Sequence, residues 1–469
     1  MSRTLETEAL IVGGGPAGAT LAGCLARGGH RVLLCDDGKR QHPVPFETLL
    51  PAARHALERA KVRDPIERLG SAPPVHRFAI WGTDQAVVQE SGPDEQPGVR
   101  IRRGAFERGL RDWARSQGAS VLEGARVAGA LPEQGPGTVE IEQDGSLLRC
   151  HAEVFVSAAG RRASEHLAES RVFEAAPETA SLGIVADIPD LDHAHDEVVE
   201  ATEHGWHWWM PLDDSKASLT VFLDHEEMQR LGTQELLDRC LRQSRGPGRA
   251  FAGRQPSRAA RATARLLQPA DHVLLCGDAC STIDPLSSQG TEKAIASGEN
   301  TAALVQLILE RNELRDLATA TQWRWECGLW RGHRRATEQF HAFERRFADA
   351  PFWQRRRGSS DEESSSQPPR ALQVTSGIEK TAMLDRFGER YELVEGFALP
   401  SSIAVDGPLS QVGPIPIEPI LDAFAEPQSI AEGLRAAARD PRIYVQSQRS
   451  TIEAIGLLHQ RGFLNEVAR

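Results

Sequence analysis

The sequence predicts an α/β protein built around a doubly wound parallel sheet. Near its start, an apolar run at 9–12 leads into the pattern G-x-G-x-x-G at 13–18, and a segment rich in alanine and leucine follows. This order predicts a buried strand, a tight turn and a helix, the unit that binds the diphosphate of a dinucleotide. A second apolar run at 32–35 ends in Asp36, where an acid can hold a ribose hydroxyl.

The three glycines of the first turn have different structural roles. Gly13 permits the tight turn, Gly15 lets the phosphates approach the backbone, and Gly18 lets the helix pack closely on the strand. The helix then starts at Pro16 and Ala17, where free N–H groups and the positive end of the helix dipole favour an anion. An ordinary glycine-rich turn is the alternative, and the acid that ends the second strand argues against it.

The rest of the first 350 residues alternates between strand and helix patterns. The predicted elements are a helix from 51 to about 68 after a proline-bounded loop, a helix over 105–117, short strands within 120–155, a glycine turn at 157–161, strands over 181–225, a helix from 232, and two long helices to about 309 and over 317–347.

A second sharp motif lies between 272 and 291. An apolar strand ends in Gly277 and Asp278, and a loop through Pro285, Gln289 and Gly290 precedes a long helix. A carboxylate at the end of a buried strand can accept hydrogen bonds from a polyol, and the helix start offers a positive end to a negative group. With the first turn, this motif predicts one dinucleotide site assembled from distant parts of the chain.

The composition restricts the class of protein. The 469 residues are 40% hydrophobic and 26% charged, which is typical of a globular chain of two or three domains. The net charge of −12 argues against nucleic-acid binding, and we expect neither a membrane span nor a secretory leader. Seven scattered cysteines are typical of reduced thiols in the cytoplasm, and we expect no metal site.

The C-terminal quarter differs from the rest. An acidic tract rich in serine and proline at 356–370 has no apolar side chains to bury, so it is predicted to be a linker. The chain regains apolar residues over 371–469, with helix patterns at about 429–439 and 447–461. We expect a small, mainly α-helical appended domain there.

The motifs together resemble the FAD-dependent aromatic hydroxylases and the related flavin-dependent tryptophan and phenol halogenases. The residues that carry the resemblance are Gly13, Gly15, Gly18 and Asp36 of the ADP-binding turn, Arg103 of an Arg-x-x-Phe-Glu segment, Gly277 and Asp278, the loop with Pro285, Gln289 and Gly290, and the loop at 46–51. The resemblance implies non-covalent FAD, with Arg103 near the flavin and Asp278 on its ribityl chain. The turn at 157–161 departs from the family pattern because it lacks the usual acid, which leaves a nicotinamide-binding role of this turn in doubt.

The resemblance also implies the domain layout of para-hydroxybenzoate hydroxylase, a Rossmann-like FAD-binding domain with an interleaved substrate sheet. The expected parts are a monooxygenase module at 1–355, with FAD-binding segments at about 1–75, 98–180 and 260–350 and substrate-sheet segments at about 76–97 and 181–259, followed by the linker at 356–370 and the C-terminal domain at 371–469.

Two chemistries are open to such a chain. The segment 206–211 resembles the Trp-x-Trp-x-Ile-Pro segment of the halogenases, yet none of the five lysines falls where the halogenating lysine is expected. Arg77 stands near that position, and Ser287 stands where a glutamate assists. An arginine cannot readily perform the chemistry of a lysine amine. The sequence therefore favours a monooxygenase that uses O2 through a flavin C4a-hydroperoxide, with NAD(P)H or a reductase as electron donor.

Few side chains are candidates for the chemistry itself, since the cofactor supplies most of the reactivity. Glu47 and His207 are the candidates for proton handling, although a surface acid and a buried strand histidine are the ordinary explanations for them. Trp206, Trp208 and Trp209 are the candidates for an aromatic substrate pocket, with ordinary core packing as the alternative.

A halogenase-like chain without the lysine, and with an added C-terminal domain, resembles the monooxygenases of tryptophylquinone biogenesis. These hydroxylate a tryptophan side chain in another polypeptide, so the resemblance implies a polypeptide substrate. A small aromatic substrate remains open. The arginine-rich stretch at 331–357 is either a solvated face or a docking surface for such a partner. The alternatives are a halogenase of an aromatic or carrier-bound substrate, and a flavin-binding assembly factor without turnover.

Overall fold

The computed structural model describes residues 4–38, 46–62, 77–89, 98–132, 135–167, 170–187, 197–212, 215–269, 273–358, 371–399 and 407–467. Most of the predicted linker and Lys39 lie outside these residues. The helix expected to reach 68 is shorter than predicted: it ends at Arg59, and Lys61 two residues later has a positive φ of 59°, which a helix does not allow. Residues 63–68 lie outside the described part. The predicted alternation of strands and helices is present across the described part of the first 350 residues.

The strands are Thr4–Val12 (β1), Val32–Asp36 (β2), Phe46–Leu49 (β3), Arg77–Ile80 (β4), Val87–Gln89 (β5), Val99–Arg102 (β6), Ser120–Glu123 (β7), Ala125–Ala128 (β8), Gly137–Gln143 (β9), Ser146–Ser157 (β10), Ser170–Ala175 (β11), Thr179–Asp187 (β12), Glu197–Thr202 (β13), Gly205–Pro211 (β14), Lys216–Asp224 (β15), Arg258–Arg261 (β16), Arg265–Pro269 (β17), Leu274–Leu275 (β18), Ser281–Thr282 (β19), Leu372–Val374 (β20), Glu379–Phe387 (β21), Arg390–Ala398 (β22), Gln411–Val412 (β23), Ile415–Pro416 (β24) and Leu464–Glu466 (β25).

The α-helices are Pro16–Arg27 (α1), Pro51–Arg59 (α2), Arg103–Ser116 (α3), His225–Leu231 (α4), Thr233–Arg242 (α5), Gly290–Glu310 (α6), Arg315–Phe343 (α7), Pro351–Arg356 (α8), Glu418–Ala423 (α9), Ile430–Ala437 (α10), Pro441–Tyr444 (α11) and Gln448–Gln460 (α12). Short 3-10 turns occur at Gly160–His166, Pro247–Phe251, Gly277–Ala279, Pro285–Ser287 and Asn312–Leu314.

The first large sheet has the strand order β7-β2-β1-β10-β9-β8, and β18 pairs with β10. β1 runs parallel to both β2 and β10, with Val12 level with Cys35 and Ser157. Residues 9–12 of β1 and 32–35 of β2 are continuous buried apolar runs, which is typical of parallel strands covered on both faces. On one face, Leu10 and Leu33 pack in one core with residues of β8 and β9. The carboxyl ends of β1, β2 and β10 therefore meet at one edge, where open α/β sheets bind their ligands.

The second large sheet has the order β16-β12-β15-β14-β13-β4-β5 and draws its strands from two separate chain segments. Neighbours are antiparallel except for the parallel pair β4 and β13. Along β14 the side chains alternate, so Trp206 packs with Phe222 on one face while Trp209 packs with Leu236 and Phe251 on the other. Helix α5 covers that second face with buried Leu236, Leu237 and Cys240.

The arginine-rich stretch is mostly paired within the protein. Arg331 donates through Nε to Glu174 at 3.0 Å, and Arg346 reaches Asp84 at 3.1 Å. Arg334 also pairs with an acid, and Arg355 and Arg356 both bind Asp224. These pairs compensate most of the positive charge, which favours the structural explanation of the stretch over a docking surface.

The chain divides into two compact units. One comprises 1–312 and 329–358, and the other comprises 313–328 and 359–469. The second unit has its own apolar core, with Ile420, Phe424 and Phe463 fully buried. Its two expected helices are present as α10 and α12, but strands β20–β25 are present as well. The described C-terminal part is therefore mixed α and β, and the expectation of a mainly α-helical domain was wrong.

No helix in the described parts of the chain is both long and apolar enough to cross a membrane.

The short helix α8 anchors the end of the first unit, which gives a test of stability. Trp353 is fully buried and donates from Nε1 to the carbonyl of Thr202 at 2.8 Å. Trp353→Ala is expected to lower the free energy of unfolding by about 3–5 kcal/mol. The matched control is Phe343→Ala, because Phe343 is 66% exposed and its loss should cost less than about 0.5 kcal/mol. Equal effects in urea unfolding would contradict this account of the fold.

Candidate functional site

A cavity of about 580 Å³ lies where the edge of the first sheet meets one face of the second. Its volume is typical of a site for a cofactor and a small organic group. The predicted site residues that line it are Gly13, Gly15, Pro16, Ala17, Asp36, Glu47, Arg103, Trp206, Trp208, Asp278, Pro285 and Gly290. One cavity thus brings together four segments that are far apart in the sequence, at 13–47, 103, 206–208 and 278–290.

The first glycine turn lets two backbones approach each other at the cavity wall. Gly13 has φ +110°, and a Cβ added there would lie 2.4 Å from the carbonyl oxygen of Ala158. A Cβ on Gly18 would lie 1.9 Å from the carbonyl oxygen of Gly13. Gly18 therefore does not line the cavity; it sets the distance between α1 and the turn, as the sequence predicted.

Asp36 ends β2 at the cavity edge and has a cationic partner that the sequence did not indicate. Arg111 lies with Nη1 3.2 Å from Asp36 Oδ2 and donates from the same nitrogen to the carbonyl of Gly14 at 3.1 Å. Arg111 stands eight residues after Arg103 on α3, hence on a similar face of that helix. The contact between Arg111 and the first glycine turn arises from tertiary packing of α3 and is not visible in the sequence pattern.

Glu47 is tightly held beside the cavity. Its Oε2 accepts a short bond from Arg103, and its Oε1 accepts from the hydroxyl of Thr291 at 2.5 Å. Burial alone would lower the pKa of the Arg103 guanidinium, but the charges of Glu47, Glu107 and Asp278 raise it, so Arg103 is a permanent cation. This cluster joins β3, α3 and α6 at the wall.

The second motif brings Asp278 to the cavity through another close approach. Gly277 has φ +68°, and a Cβ there would lie 2.6 Å from the Cβ of Ala17. Lys293, fully buried on the first turn of α6, donates to the carbonyl of Ser281 and lies 3.9 Å from Asp278 Oδ1. A buried lysine is rare unless it is paired, yet the sequence motif gave no indication of it.

The loop that follows precedes helix α6. Asp284 accepts at Oδ1 from the backbone N–H of Leu286 at 2.9 Å, and Ser288 adopts a left-handed conformation with φ +53°. Gln289 occupies the N-cap position of α6 and does not itself line the cavity. The positive end of this 21-residue helix thus begins at the cavity, where it favours negative charge.

Aromatic side chains from the second sheet form the opposite wall. Trp206 and Phe222 stack with ring centroids 3.9 Å apart, and Trp208 lies two residues along the same strand face. Trp81 meets Trp206 edge-on at 6.4 Å. The sequence predicted Trp206 and Trp208 here, whereas Phe222 and Trp81 gave no signal beyond ordinary strand patterns.

His207 and Trp209 face away from the cavity. His207 is fully buried, and its Nε2 lies 3.2 Å from Glu200 Oε2. Burial alone would raise the pKa of Glu200, but His207 and the hydrogen bonds from Ser244 and the Arg245 backbone lower it to about 2. In this geometry His207 can act on the site only through the strand that carries it.

The turn at 157–161, which lacks the acid of the family pattern, also borders the cavity. Ala158, Ala159, Gly160 and Arg161 line it. Arg162 follows and binds Asp37 at 2.8 Å across the cavity edge. Two further arginines therefore stand at this end, where the sequence had left the function of the turn open.

Comparison with known proteins identifies the family. The model of the FAD binding domain matches residues 6–322. The chain belongs to the FAD-binding-domain family. Among curated relatives, it is 26% identical over 350 residues to tryptophan 2-halogenase of Chondromyces crocatus, an alignment that covers 70% of this chain and 66% of the halogenase. It is 24% identical over 355 residues to the flavin-dependent halogenase armH3 of Armillaria mellea, covering 67% of this chain and 70% of that protein.

Two solved structures match almost the whole chain. One is the peptidyl tryptophan dihydroxylase QhpG, essential for tryptophylquinone cofactor biogenesis, with a TM-score of 0.71, 22% identity, and coverage of 97% of this chain and 99% of that one. The other is the flavin-dependent halogenase CmlS, with a TM-score of 0.76, 20% identity, and coverage of 99% and 96%. These likenesses confirm the predicted α/β fold. The match to the FAD binding domain, with the curated relatives, confirms the predicted superfamily of flavin-dependent hydroxylases and halogenases, whose members are oxidoreductases.

The residues present fit FAD. At Gly13 and Gly18 a side chain would collide with the backbone of Ala158 and of Gly13, so the tight turn that the FAD-binding fold uses requires glycine at both positions. In this chain, Gly15, Pro16 and Asp36 would hold the ADP part of FAD. Arg103, Asp278 and the start of α6 would hold the ribityl and flavin part.

The glycine turn gives a direct test of FAD binding. Gly18→Ala is expected to weaken FAD binding about 10–100-fold, because overpacking of this kind costs about 1–3 kcal/mol. Titration of the apoprotein with FAD, followed by flavin fluorescence, measures this change. The matched control is Gly332→Ala in α7, where no atom lies within 4 Å of the added Cβ, so affinity should be unchanged. Equal affinities for all three proteins would contradict the assigned turn.

The buried pair of His207 and Glu200 predicts how the stability of the protein depends on pH. Glu200→Gln leaves His207 buried without an acid and is expected to lower the free energy of unfolding by about 3–5 kcal/mol near neutral pH. The folded-state pKa of Glu200, about 2, lies below its usual 4.5. Its stabilising contribution is therefore complete above about pH 4.5 and is lost as the pH falls towards 2. Urea unfolding of both proteins should show a difference that shrinks over this range; a constant difference would contradict the pairing.

Proposed function

We propose that this protein is a FAD-dependent monooxygenase that hydroxylates an aromatic ring, most specifically a tryptophan side chain of a polypeptide that matures into a tryptophylquinone cofactor. One observation supports a monooxygenase over a halogenase: the charged side chain that lines the cavity with Trp206 and Trp208 is an arginine, Arg77. The described lysines, at 61, 216, 293 and 380, are absent from the cavity lining.

Arg77 is held at this wall from two sides. Its Nη2 donates to the hydroxyl of Ser288 at 2.9 Å, and its Nε lies 3.4 Å from Glu197 Oε2. Glu197 is fully buried and accepts a short bond from Thr48. A guanidinium fixed in this way offers no amine nucleophile to a halogen species. It can orient a polar group of the substrate by hydrogen bonding.

The protein's own residues account for binding, orientation and exclusion of water. When bound, FAD supplies the oxygen chemistry after two-electron reduction. Trp206, Trp208 and Phe222 offer flat apolar surfaces against which an aromatic ring can stack. Arg103 and the positive end of α6 favour negative charge on the reduced cofactor. The fully buried aromatic and aliphatic side chains behind this wall keep water from the ring.

The choice of substrate rests on likeness. QhpG, by its description, acts on a peptidyl tryptophan, and its similarity extends over 97% of this chain, including the C-terminal part. The name of the tryptophan 2-halogenase also gives tryptophan as its substrate. Together they support an indole ring as the acceptor. A polypeptide partner, an external reductase or NAD(P)H as electron donor, and O2 as oxidant belong to this proposal.

Halogenation is the second candidate, since the curated relatives include tryptophan 2-halogenase and several halogenases from Armillaria mellea. The fold likeness to CmlS is as extensive as that to QhpG. Against halogenation stand the arginine at the wall and Ser287 in the loop where the family's glutamate is expected.

Mass spectrometry of the product separates the candidates. FAD-loaded protein, a reducing system, chloride and bromide are incubated with a tryptophan-containing polypeptide under heavy-isotope O2. We expect one or two isotopically heavy oxygen atoms on the indole and no halogen. The Gly18→Ala variant under the same conditions is the control for dependence on bound FAD. A chlorinated or brominated product would establish the halogenase, and bound FAD without any product would favour an assembly factor.

A further inference from the structure

Five carboxylates line the cavity, and four of them have a cationic partner. Asp36 lies 3.2 Å from Arg111, Asp37 lies 2.8 Å from Arg162, and Asp278 lies 3.9 Å from Lys293. Glu47 binds Arg103. The fifth carboxylate is Asp284, and within the described residues it forms no ion pair.

Asp284 lines the cavity, and among the described residues one of its two carboxylate oxygens has a hydrogen-bond partner. Its Oδ1 accepts from the Leu286 N–H at 2.9 Å and so caps the turn Pro285–Ser287. The charged group that faces it is Arg356 of α8, which itself binds Asp224 Oδ2 at 2.9 Å. Burial raises the pKa of Asp284, and the hydrogen bond from Leu286 and the charge of Arg356 oppose this only in part.

We propose that Asp284 is the catalytic base of the site and accepts the proton that the aromatic ring loses on hydroxylation. This inference rests on the proposed function. Asp284 belongs to the loop that leads into α6, and the same cavity is lined by Trp206, Trp208 and Phe222. Its position thus places a carboxylate at the junction between the cofactor region and the aromatic wall.

The step is balanced within the overall reaction, in which O2 and reduced FAD convert the ring C–H to C–OH and release water. Once oxygen is bonded to the ring carbon, the C–H bond breaks and its electron pair restores the aromatic ring. The proton moves to Asp284, which becomes a neutral carboxylic acid, and then passes to water. A carboxylate without an ion pair accepts this proton more readily than one that stabilises a neighbouring cation.

Glu47, the acid that the sequence favoured for this role, is less suited to it. Both of its oxygens are engaged, one by Arg103 and one by Thr291. Protonation of Glu47 would remove the ion pair with Arg103, whose own pKa is raised by that charge. Glu47 therefore serves as a positioning residue for Arg103, and Asp284 is the acid that can change its charge without breaking a pair.

Asp284→Asn is the decisive variant. The amide oxygen of asparagine can still accept from Leu286, so the turn keeps its cap while the titratable group is removed. The matched control is Asp440→Asn, since Asp440 caps α11 in the second unit and accepts from Arg442 N–H at 2.8 Å. FAD affinity should be unchanged in both variants, which shows that the site has folded.

The first measurement needs no substrate. Titration of the visible spectrum of bound, oxidised FAD against pH should show a transition in the wild type and in Asp440→Asn, because a carboxylate that gains or loses charge beside the flavin shifts its absorption. The transition should be absent from Asp284→Asn. A titration that is identical in all three proteins would overturn the assignment of Asp284, whatever the substrate proves to be.

The second measurement is the rate of hydroxylated product. In the wild type, we expect the rate to fall as the pH drops through the raised pKa of Asp284, because the base must be ionised. Asp284→Asn should be slower by about 10²–10⁴-fold and should lack this acidic limb. Wild-type rate and pH profile in this variant would overturn the catalytic role. Absence of product from the wild type would instead count against the proposed function, and the spectral titration would still decide whether Asp284 titrates beside FAD.

Discussion

The ion pair between Glu47 and Arg103 is the interaction on which the cavity depends. It joins the β3–β6 ribbon to the start of α3, and the hydroxyl of Thr291 ties the same carboxylate to the first turn of α6. Strand β3, helix α3 and helix α6 come from distant parts of the chain, and each contributes residues to the cavity wall. Because the pair is partly enclosed, loss of either partner would leave a charge beside the cofactor region without compensation.

Other carboxylates around the cavity are also paired with cations. Asp36, Asp37 and Asp278 each face a cation, so a negatively charged cofactor meets a wall whose negative charges are already balanced. The helix dipole of α6 then adds positive potential at one end. Against this background Asp284, the one cavity carboxylate for which the described part of the chain supplies no ion pair, differs in chemistry from its neighbours and not merely in position.

The sequence predicted the parts of the site that depend on local backbone geometry. Glycine spacing at 13–18 specified the turn because only glycine fits so close to another backbone. The alternation along β14 also implied that Trp206 and Trp208 share one face and His207 and Trp209 the other, but not which face borders the cavity. That choice depends on α5, which covers the His207 side. The partners Arg111 and Lys293 depend in the same way on tertiary packing. The hairpin β21–β22 was missed although its strands alternate, because the pattern there is strongly charged.

The arginine at the aromatic wall links the fold to its chemistry. A lysine at this place would keep an amine that can lose its proton and react, whereas Arg77 is fixed by Ser288 and by the buried Glu197. Its planar group carries several donors in a rigid arrangement, and such a group recognises oxygen acceptors instead of forming bonds to them. In the proposed monooxygenase reaction the cofactor supplies the oxygen chemistry, and the protein supplies an aromatic wall and one base, which we propose to be Asp284. A site built in this way fits transfer of oxygen to an aromatic ring better than transfer of a halogen.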